Sequence, residues 1–354
     1  MLSQNCLSFS LLIILYGTAA YPHDNGGVSK KQPTQFKVYW QVPTELCHKH
    51  KIEFSKVAKI GIVQNTGDRF KGDKIVILYD PGKFPFLNGS DYVNGGLPQF
   101  GDLNHHERIL REDITKYIPN KNFDGIAVID FEYWRPVFRE NWASLDVYRT
   151  MSKDFVRDEH PDWEEHEIFK EAERRWEAIT FPFFKRTLKI AFEERPKAKW
   201  GFYGFPQCFN FAPTNERKEC NNRVKDDNDK SKWMYQEGKA LYPSVYFDKI
   251  GMTETMRAEL IEYRVKEGVR IAKKSATKLP VYAYTWFKYR DSGHELISKT
   301  DMLNNLLVPK KHGANGVIIW GSSEDVNTKE KCEQLHKFFE NCIVPAMKRV
   351  AATN

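Results

Sequence analysis

Asp130 and Glu132 are the residues of this sequence best placed to do chemistry. They lie in the segment Phe123–Trp142 (FDGIAVIDFEYWRPVFRENW), where an apolar run, Ile126–Ile129, ends in Asp130-Phe131-Glu132. Side chains of a strand alternate faces, so the two carboxylates point the same way, with Cα atoms about 6–7 Å apart. Neighbouring carboxylates do not both ionise cheaply, so one keeps its proton near neutral pH. A protonated carboxyl is what a glycosidic leaving group needs. The blander alternative is an exposed turn whose two acids cap the next helix, since Asp and Glu favour first turns. Trp134 and Arg135 follow at once and make a site the better reading.

Such a pair has to be held by a frame, and the chain supplies a repeating one. Short apolar runs recur at Phe36–Trp40, Ile60–Val63, Ile75–Leu78, Gly125–Phe131, Trp200–Tyr203, Ser244–Phe247, Val281–Trp286 and Gly316–Trp320. Runs of this kind suit strands buried on both faces, as in a parallel sheet. Helical patterns lie between them at His105–Ile118, Trp163–Arg195, Thr255–Ser275 and Asn327–Val350. Pro182 inside the longest of these predicts a kink or two helices. Alternating strand and helix predicts an α/β fold, and the number of units favours a (β/α) barrel in one domain, where strand C-termini carry the chemistry. The polar stretch Asn215–Lys232 reads as a surface loop. Its acidic cluster Asp226-Asp227-Asn228-Asp229 lacks the glycine and terminal Glu of a calcium loop.

Composition narrows the class. The chain has 354 residues, 41% hydrophobic and 29% charged, ordinary values for a globular enzyme. Residues 1–20 read as a secretory signal with cleavage near Ala20, although the segment before the apolar block carries no Lys or Arg. The apolar core, Phe9 to Tyr16, is shorter than the roughly 20 residues a bilayer needs, so no membrane anchor is expected. Residues 21–35 read as a loose tail. The net charge of +7 suits polyanionic partners, and dispersed basic residues disfavour nucleic acid. Six cysteines are present, of which Cys6 lies in the signal; secretion makes disulfides the expected use of the other five. An odd number leaves one over. Cys47-His48-Lys49-His50 looks metal-like, but partners at ligand spacing are missing, and neither a metal nor a cofactor is expected.

The segment around the carboxylates resembles the hyaluronidase family, which includes bee- and wasp-venom enzymes and the catalytic domains of mammalian ones. The resemblance runs from about Phe36 to Arg349. VYWQVPT (38–44), ILYDPGKFP (77–85), GIAVIDFEYWRPVFRENWAS (125–144), WGFYGFPQC (200–208), LYPSVY (241–246), YRVKEGVRIA (263–272) and GVIIWGSS (316–323) look like family blocks in family order. It implies a distorted TIM-like barrel over 36–350 without the mammalian EGF-like module.

The resemblance also implies a mechanism and a set of residues. The family uses a retaining, substrate-assisted route in which the substrate's own acetamido oxygen attacks its anomeric carbon. Glu132 matches the acid and base, and Asp130 the residue that orients the acetamido group. Tyr203, Tyr246 and Trp320 match residues around that group, and Tyr284 and Arg264 match further active-site positions. For the aromatics the plain alternative is core packing; for Arg264 it is a charge on a helix surface. Arg264 or Arg135 would supply a cation near the carboxylates. Tyr79, Arg135, Ser322 and Ser323 are expected to contact saccharide. The same likeness pairs Cys47 with Cys332 and Cys208 with Cys220, leaving Cys342 as a free thiol or an intermolecular partner. Asn88-Gly89-Ser90 is an N-glycosylation sequon. The implied protein is a secreted monomer of venom or saliva type that cuts hyaluronan, with chondroitin left open as a second substrate. An inactive hyaluronan-binding homologue is the alternative, although such a protein would usually have lost Asp130 or Glu132. A chitinase-like hydrolase fits less well, since Ala127, Val128 and Ile129 stand where further acids would be.

Overall fold

The computed structural model describes residues 35–213, 215–293 and 295–353. The apolar runs form strands β1 (Lys37–Gln41), β2 (Ile62–Gln64), β3 (Ile75–Tyr79), β6 (Ile126–Asp130), β7 (Lys199–Phe202), β8 (Tyr282–Trp286) and β9 (Gly316–Trp320). A small antiparallel hairpin, β4 (Phe86–Asn88) and β5 (Asp91–Val93), stands apart from them. The longer strands pair in parallel, in the orders β2-β1-β9-β8 and β3-β6-β7.

Two seams join these sheets, each by an unusual device. Between β7 and β8, single parallel bridges run Tyr203–Tyr242, Leu241–Val281 and Ser244–Tyr284. The expected strand at Ser244–Phe247 is thus replaced by isolated bridges over 241–244, where Pro243 has no N–H to give a ladder. Between β2 and β3, the buried Asn65 acts as a surrogate strand. Its Oδ1 accepts from Lys74 N (2.8 Å) and Ile75 N (3.0 Å), and its Nδ2 donates to Ile75 O (3.0 Å). The result is a distorted TIM-like barrel.

Strand alternation divides the apolar residues into two cores. Tyr39, Ile75, Ile77, Ile126, Val128, Tyr242, Tyr282, Tyr284 and Ile318 fill the interior. Their neighbours, such as Trp40, Val76, Ala127, Ile129 and Ile319, face outward. Outside lie α1 (Lys56–Lys59), α2 (Leu103–Tyr117), α3 (Asp146–Glu159), α4 (Glu165–Glu194), α5 (Asn222–Lys230), α6 (Lys232–Glu237), α7 (Glu254–Lys274), α8 (Lys299–Lys311), α9 (Lys329–Phe338) and α10 (Val344–Ala352).

The two-helix alternative at Pro182 and the loop at 215–232 are corrected. Helix α4 runs through Pro182 without splitting in two. Residues before and after the proline dock on one ring: Trp134 lies 5.7 Å from Trp176, 6.4 Å from Phe183 and 5.6 Å from Phe184. The stretch 215–232 is also more than a surface loop, because it contains α5, capped by Asn221 Oδ1 on Arg223 N. Two of its acids, Asp227 and Asp229, are paired with other elements. Asp227 is buried on Arg139, Asn228 Nδ2 donates to Gln207 O and Glu267 (both 2.8 Å), and Asp229 meets Arg270 and Lys274.

Disulfides join Cys47 to Cys332 and Cys208 to Cys220, and Cys342 is a half-buried free thiol. His48 of the metal-like segment bonds Asp68 (2.9 Å). Among the described residues no helix is long and apolar enough to cross a membrane. The expected signal, residues 1–20, and all but residue 35 of the expected tail lie outside the described residues.

Candidate active site

The interior side of each strand continues past its C-terminal end, and there the residue types change. Ile75 and Ile77 lead to Tyr79, Ile126 and Val128 to Asp130, Tyr282 and Tyr284 to Trp286, and Ile318 to Trp320. In register, Tyr79 sits beside Asp130, and Trp320 beside both Gln41 and Trp286. A hydrophobic interior therefore opens into an aromatic and acidic rim.

That rim borders two cavities. One, of about 640 Å³, is lined by Glu132, Arg135, Tyr203, Tyr246, Arg264, Trp286 and Trp320, among others. The other, of about 470 Å³, is lined by Tyr79, Asp80, Asp130, Glu132, Tyr133 and Trp320, among others. Glu132 and Trp320 line both, so the cavities are two lobes of one groove with the acid at the waist. Aromatic rings wall the waist. Trp320 lies 6.0 Å from Tyr246 and 5.7 Å from Trp286, and Tyr246 lies 6.0 Å from Tyr203. Trp320 Nε1 donates to the Tyr79 hydroxyl (2.9 Å), which holds the half-exposed Tyr79 across the groove.

The carboxylates interact as expected from their spacing. Burial pushes Asp130 well above the ordinary carboxylate range, and the charges of Glu132 and Asp80 push it further. Asp130 Oδ1 is buried without a hydrogen-bond partner, as suits a group that is neutral part of the time. Burial raises Glu132 too, while Arg135 pulls it down and Asp80 pushes it up. Of the two candidate cations, Arg135 is thus the one that acts on Glu132. Its guanidinium lies 5.5 Å from the Trp142 ring and 4.9 Å from Phe209, and it donates to Glu140 O. Arg264 faces the larger lobe, donates to Asn210 Oδ1 (2.9 Å) and Ser244 O (3.0 Å), and is pushed down to about 10 by burial.

Other expected residues fall outside the groove wall. Tyr284 is 0% exposed, and its hydroxyl donates to Gln41 Oε1 (2.7 Å) beneath the floor. It meets Tyr203 edge-on at 5.2 Å and so acts as a support. Ser322 and Ser323 follow Trp320 but line neither lobe; Ser322 caps the turn Ser323–Asp325. Asn88 is exposed on the β4–β5 turn, with Gly89 at φ +61°.

Sequence reasoning missed three contributors. Trp286 could have been found, since it ends β8 with the same parity as Trp320. Asp325 could not, because it acts by contact: it accepts from Trp286 Nε1 (2.9 Å) and Ser322 N (2.8 Å) and pairs with Lys288 (2.8 Å). Asp80 follows β3 by one residue, lines the smaller lobe, and is raised to about 6 by burial.

Comparison with known proteins places this arrangement. A family model described as hyaluronidase matches residues 25–354. The chain belongs to the hyaluronidase family. It is therefore a glycoside hydrolase. A hyaluronidase of Apis mellifera is 43% identical over 333 residues, spanning 92% of this chain and 87% of its own length. One of Tabanus yao is 41% identical over 325 residues, spanning 89% and 92%. The crystal structure of bee venom hyaluronidase in complex with a hyaluronic acid tetramer matches with a TM-score of 0.86 and 42% identity, covering 90% of this chain and all of that one. Hyaluronidase-family membership and the barrel thus agree with the reading of the sequence blocks.

Proposed function

We propose that this chain is a secreted, monomeric endo-β-N-acetylhexosaminidase that hydrolyses β-1,4 linkages of hyaluronan, retaining configuration with the help of the substrate's acetamido group. The observation that carries the reading is the place of Glu132 at the waist between two lobes. A polymer lying along both lobes passes its glycosidic oxygen over that one carboxyl, which suits cleavage within a chain. Relatives named as hyaluronidases, one of them solved with a hyaluronic acid tetramer, support hyaluronan as the substrate. Chondroitin presents a similar N-acetylhexosamine and uronate pattern and is a second candidate.

Between them the two carboxylates carry one proton near neutral pH. In the empty groove, the deeper burial of Asp130 and the nearby Arg135 favour that proton on Asp130. A bound acetamide N–H donates to Asp130 and stabilises it as an anion, which transfers the proton to Glu132. Glu132 then protonates the leaving oxygen as the acetamido oxygen bonds to the anomeric carbon and the glycosidic bond breaks. Water next attacks that carbon, gives its proton to Glu132 and restores the acetamide. Tyr203, Tyr246 and Trp320 shape the acetamido pocket. Arg264 offers its charge to uronate carboxylates, Tyr79 and Arg135 contact saccharide in the lobes they line, and Ser322 and Ser323 contact it beyond them. Asn88, exposed on its turn, carries the glycan.

The test is release of reducing ends from hyaluronan by the purified mature chain beside Glu132→Gln. Wild type is expected to release N-acetylglucosamine ends, with activity at least about 10³-fold lower in the variant, on the scale of losing a general acid. If both retain hyaluronan and neither cuts it, the chain is a binding homologue.

A further inference from the structure

Asp80 stands where the groove already holds two carboxylates. Its backbone N–H donates to Asp130 O (2.8 Å), so the turn after β3 is pinned to the end of β6. Its φ is +45°, a left-handed conformation that only Gly, Asn and Asp adopt readily. The turn is fixed from behind by α2, where Asp113 Oδ2 accepts from Gly82 N (2.8 Å) and His106 Nδ1 from Lys83 N (3.0 Å). The side chain is exposed to the smaller lobe, which Asp130 and Glu132 also line.

We propose that Asp80 is a positioning residue for the shared proton: its charge keeps the Asp130–Glu132 pair from releasing its last proton as the pH rises. The inference rests on the hydrolase reading above. Groups facing Asp80 are Asp130, Glu132 and Tyr133 from β6 and the loop after it, Tyr79 at its own strand end, and Tyr148 from α3 across the lobe. Tyr203, one residue past β7, shares the larger lobe with Glu132. Arg135 is the cation acting on Glu132, and it pulls the opposite way to Asp80. The active pair thus sits between one anion and one cation. Partial withdrawal from water at the wall of the lobe raises Asp80 to about 6, so its charge is formed before the pair reaches the range where it would lose the proton it needs.

The sign follows directly. Removing the anion lowers the affinity of the pair for its last proton, so the alkaline limb of the profile moves to lower pH, while the acid limb, which lies where Asp80 is itself protonated, stays in place. The experiment is the pH dependence of kcat/KM on hyaluronan for wild type, Asp80→Asn, Asp80→Ser and Asp80→Glu, each checked by near-UV circular dichroism. Asn tolerates the left-handed backbone, and Ser provides a second neutral side chain. Both neutral variants are expected to shift the alkaline limb down by about half to one pH unit, a 3- to 10-fold loss on that limb. Asp80→Glu is expected to restore it. An unmoved alkaline limb in folded neutral variants, including a change confined to KM, would overturn the proposal by making Asp80 an ordinary hydroxyl-binding group. A wild type that does not cut hyaluronan would instead sink the hydrolase reading.

Discussion

The barrel interior and the layer outside it are both buried, yet they are built from different side chains. Outside, large apolar groups pack on one another: Trp134, Trp176, Phe183 and Phe184 form an aromatic cluster under α4. Inside, tyrosines stand among the isoleucines, and two of their hydroxyls have fixed partners. Tyr284 bonds Gln41, and Tyr242 bonds Lys199 O. A buried hydroxyl that finds its partner costs little, whereas one left alone costs about 1–3 kcal/mol. The outer layer therefore supplies stability, while the inner one supplies stability and a defined orientation for the rings above it.

Three changes would break or sharpen this contrast. Leu188→Ala, in the outer layer and away from both lobes, is expected to cost about 2–5 kcal/mol of stability. Its activity per folded molecule should stay near wild type, as judged by denaturant melts and assays at low temperature. A large loss of specific activity in fully folded protein would erase the distinction.

Glu140 is one of several ionisable groups buried outside the barrel interior. It is fully buried and raised to about 8, by burial first and by Asp227 next, against the pull of Arg135 and Arg139. A carboxyl raised in the fold favours the folded state below its unfolded value near 4.5 and loses that advantage as pH rises towards 8. Glu140→Gln should melt near wild type at pH 5 and above it at pH 8.5. Parallel melting curves across that range would show that Glu140 is already ionised and paired.

The smallest change in stability comes from Tyr284→Phe. It removes one hydroxyl and leaves Gln41 Oε1 short of a donor, for about 1 kcal/mol. The drop in kcat should exceed that of an outer-layer variant destabilised equally, because the Tyr203 ring rests on Tyr284. Equal drops would mean that the inner layer is filler.

What the sequence revealed follows from periodicity. The alternation of Ile126, Val128 and Asp130 fixes which face the acid takes, and the same parity places Tyr79 and Trp320 at the rim. Three features escaped because they depend on partners far along the chain. Asn65 mimics a strand only because Lys74 and Ile75 lie opposite it. Asp227, Asn228 and Asp229 of α5 read as solvated until Arg139, Glu267 and Arg270 come to meet them. Asp80 gains its meaning from Asp130, fifty positions away and one hydrogen bond distant. Local pattern carries direction and burial, but not which distant groups converge.

The Cys47–Cys332 bond spans 285 positions, from just after the first strand to the helix after the last. It makes the enzyme's body a covalent hoop. A protease that nicks any loop between those cysteines linearises the hoop without releasing a fragment, and both pieces stay held at the place where the barrel begins and ends. One cut therefore leaves the two pieces joined, and only reduction or a second cut lets them drift apart.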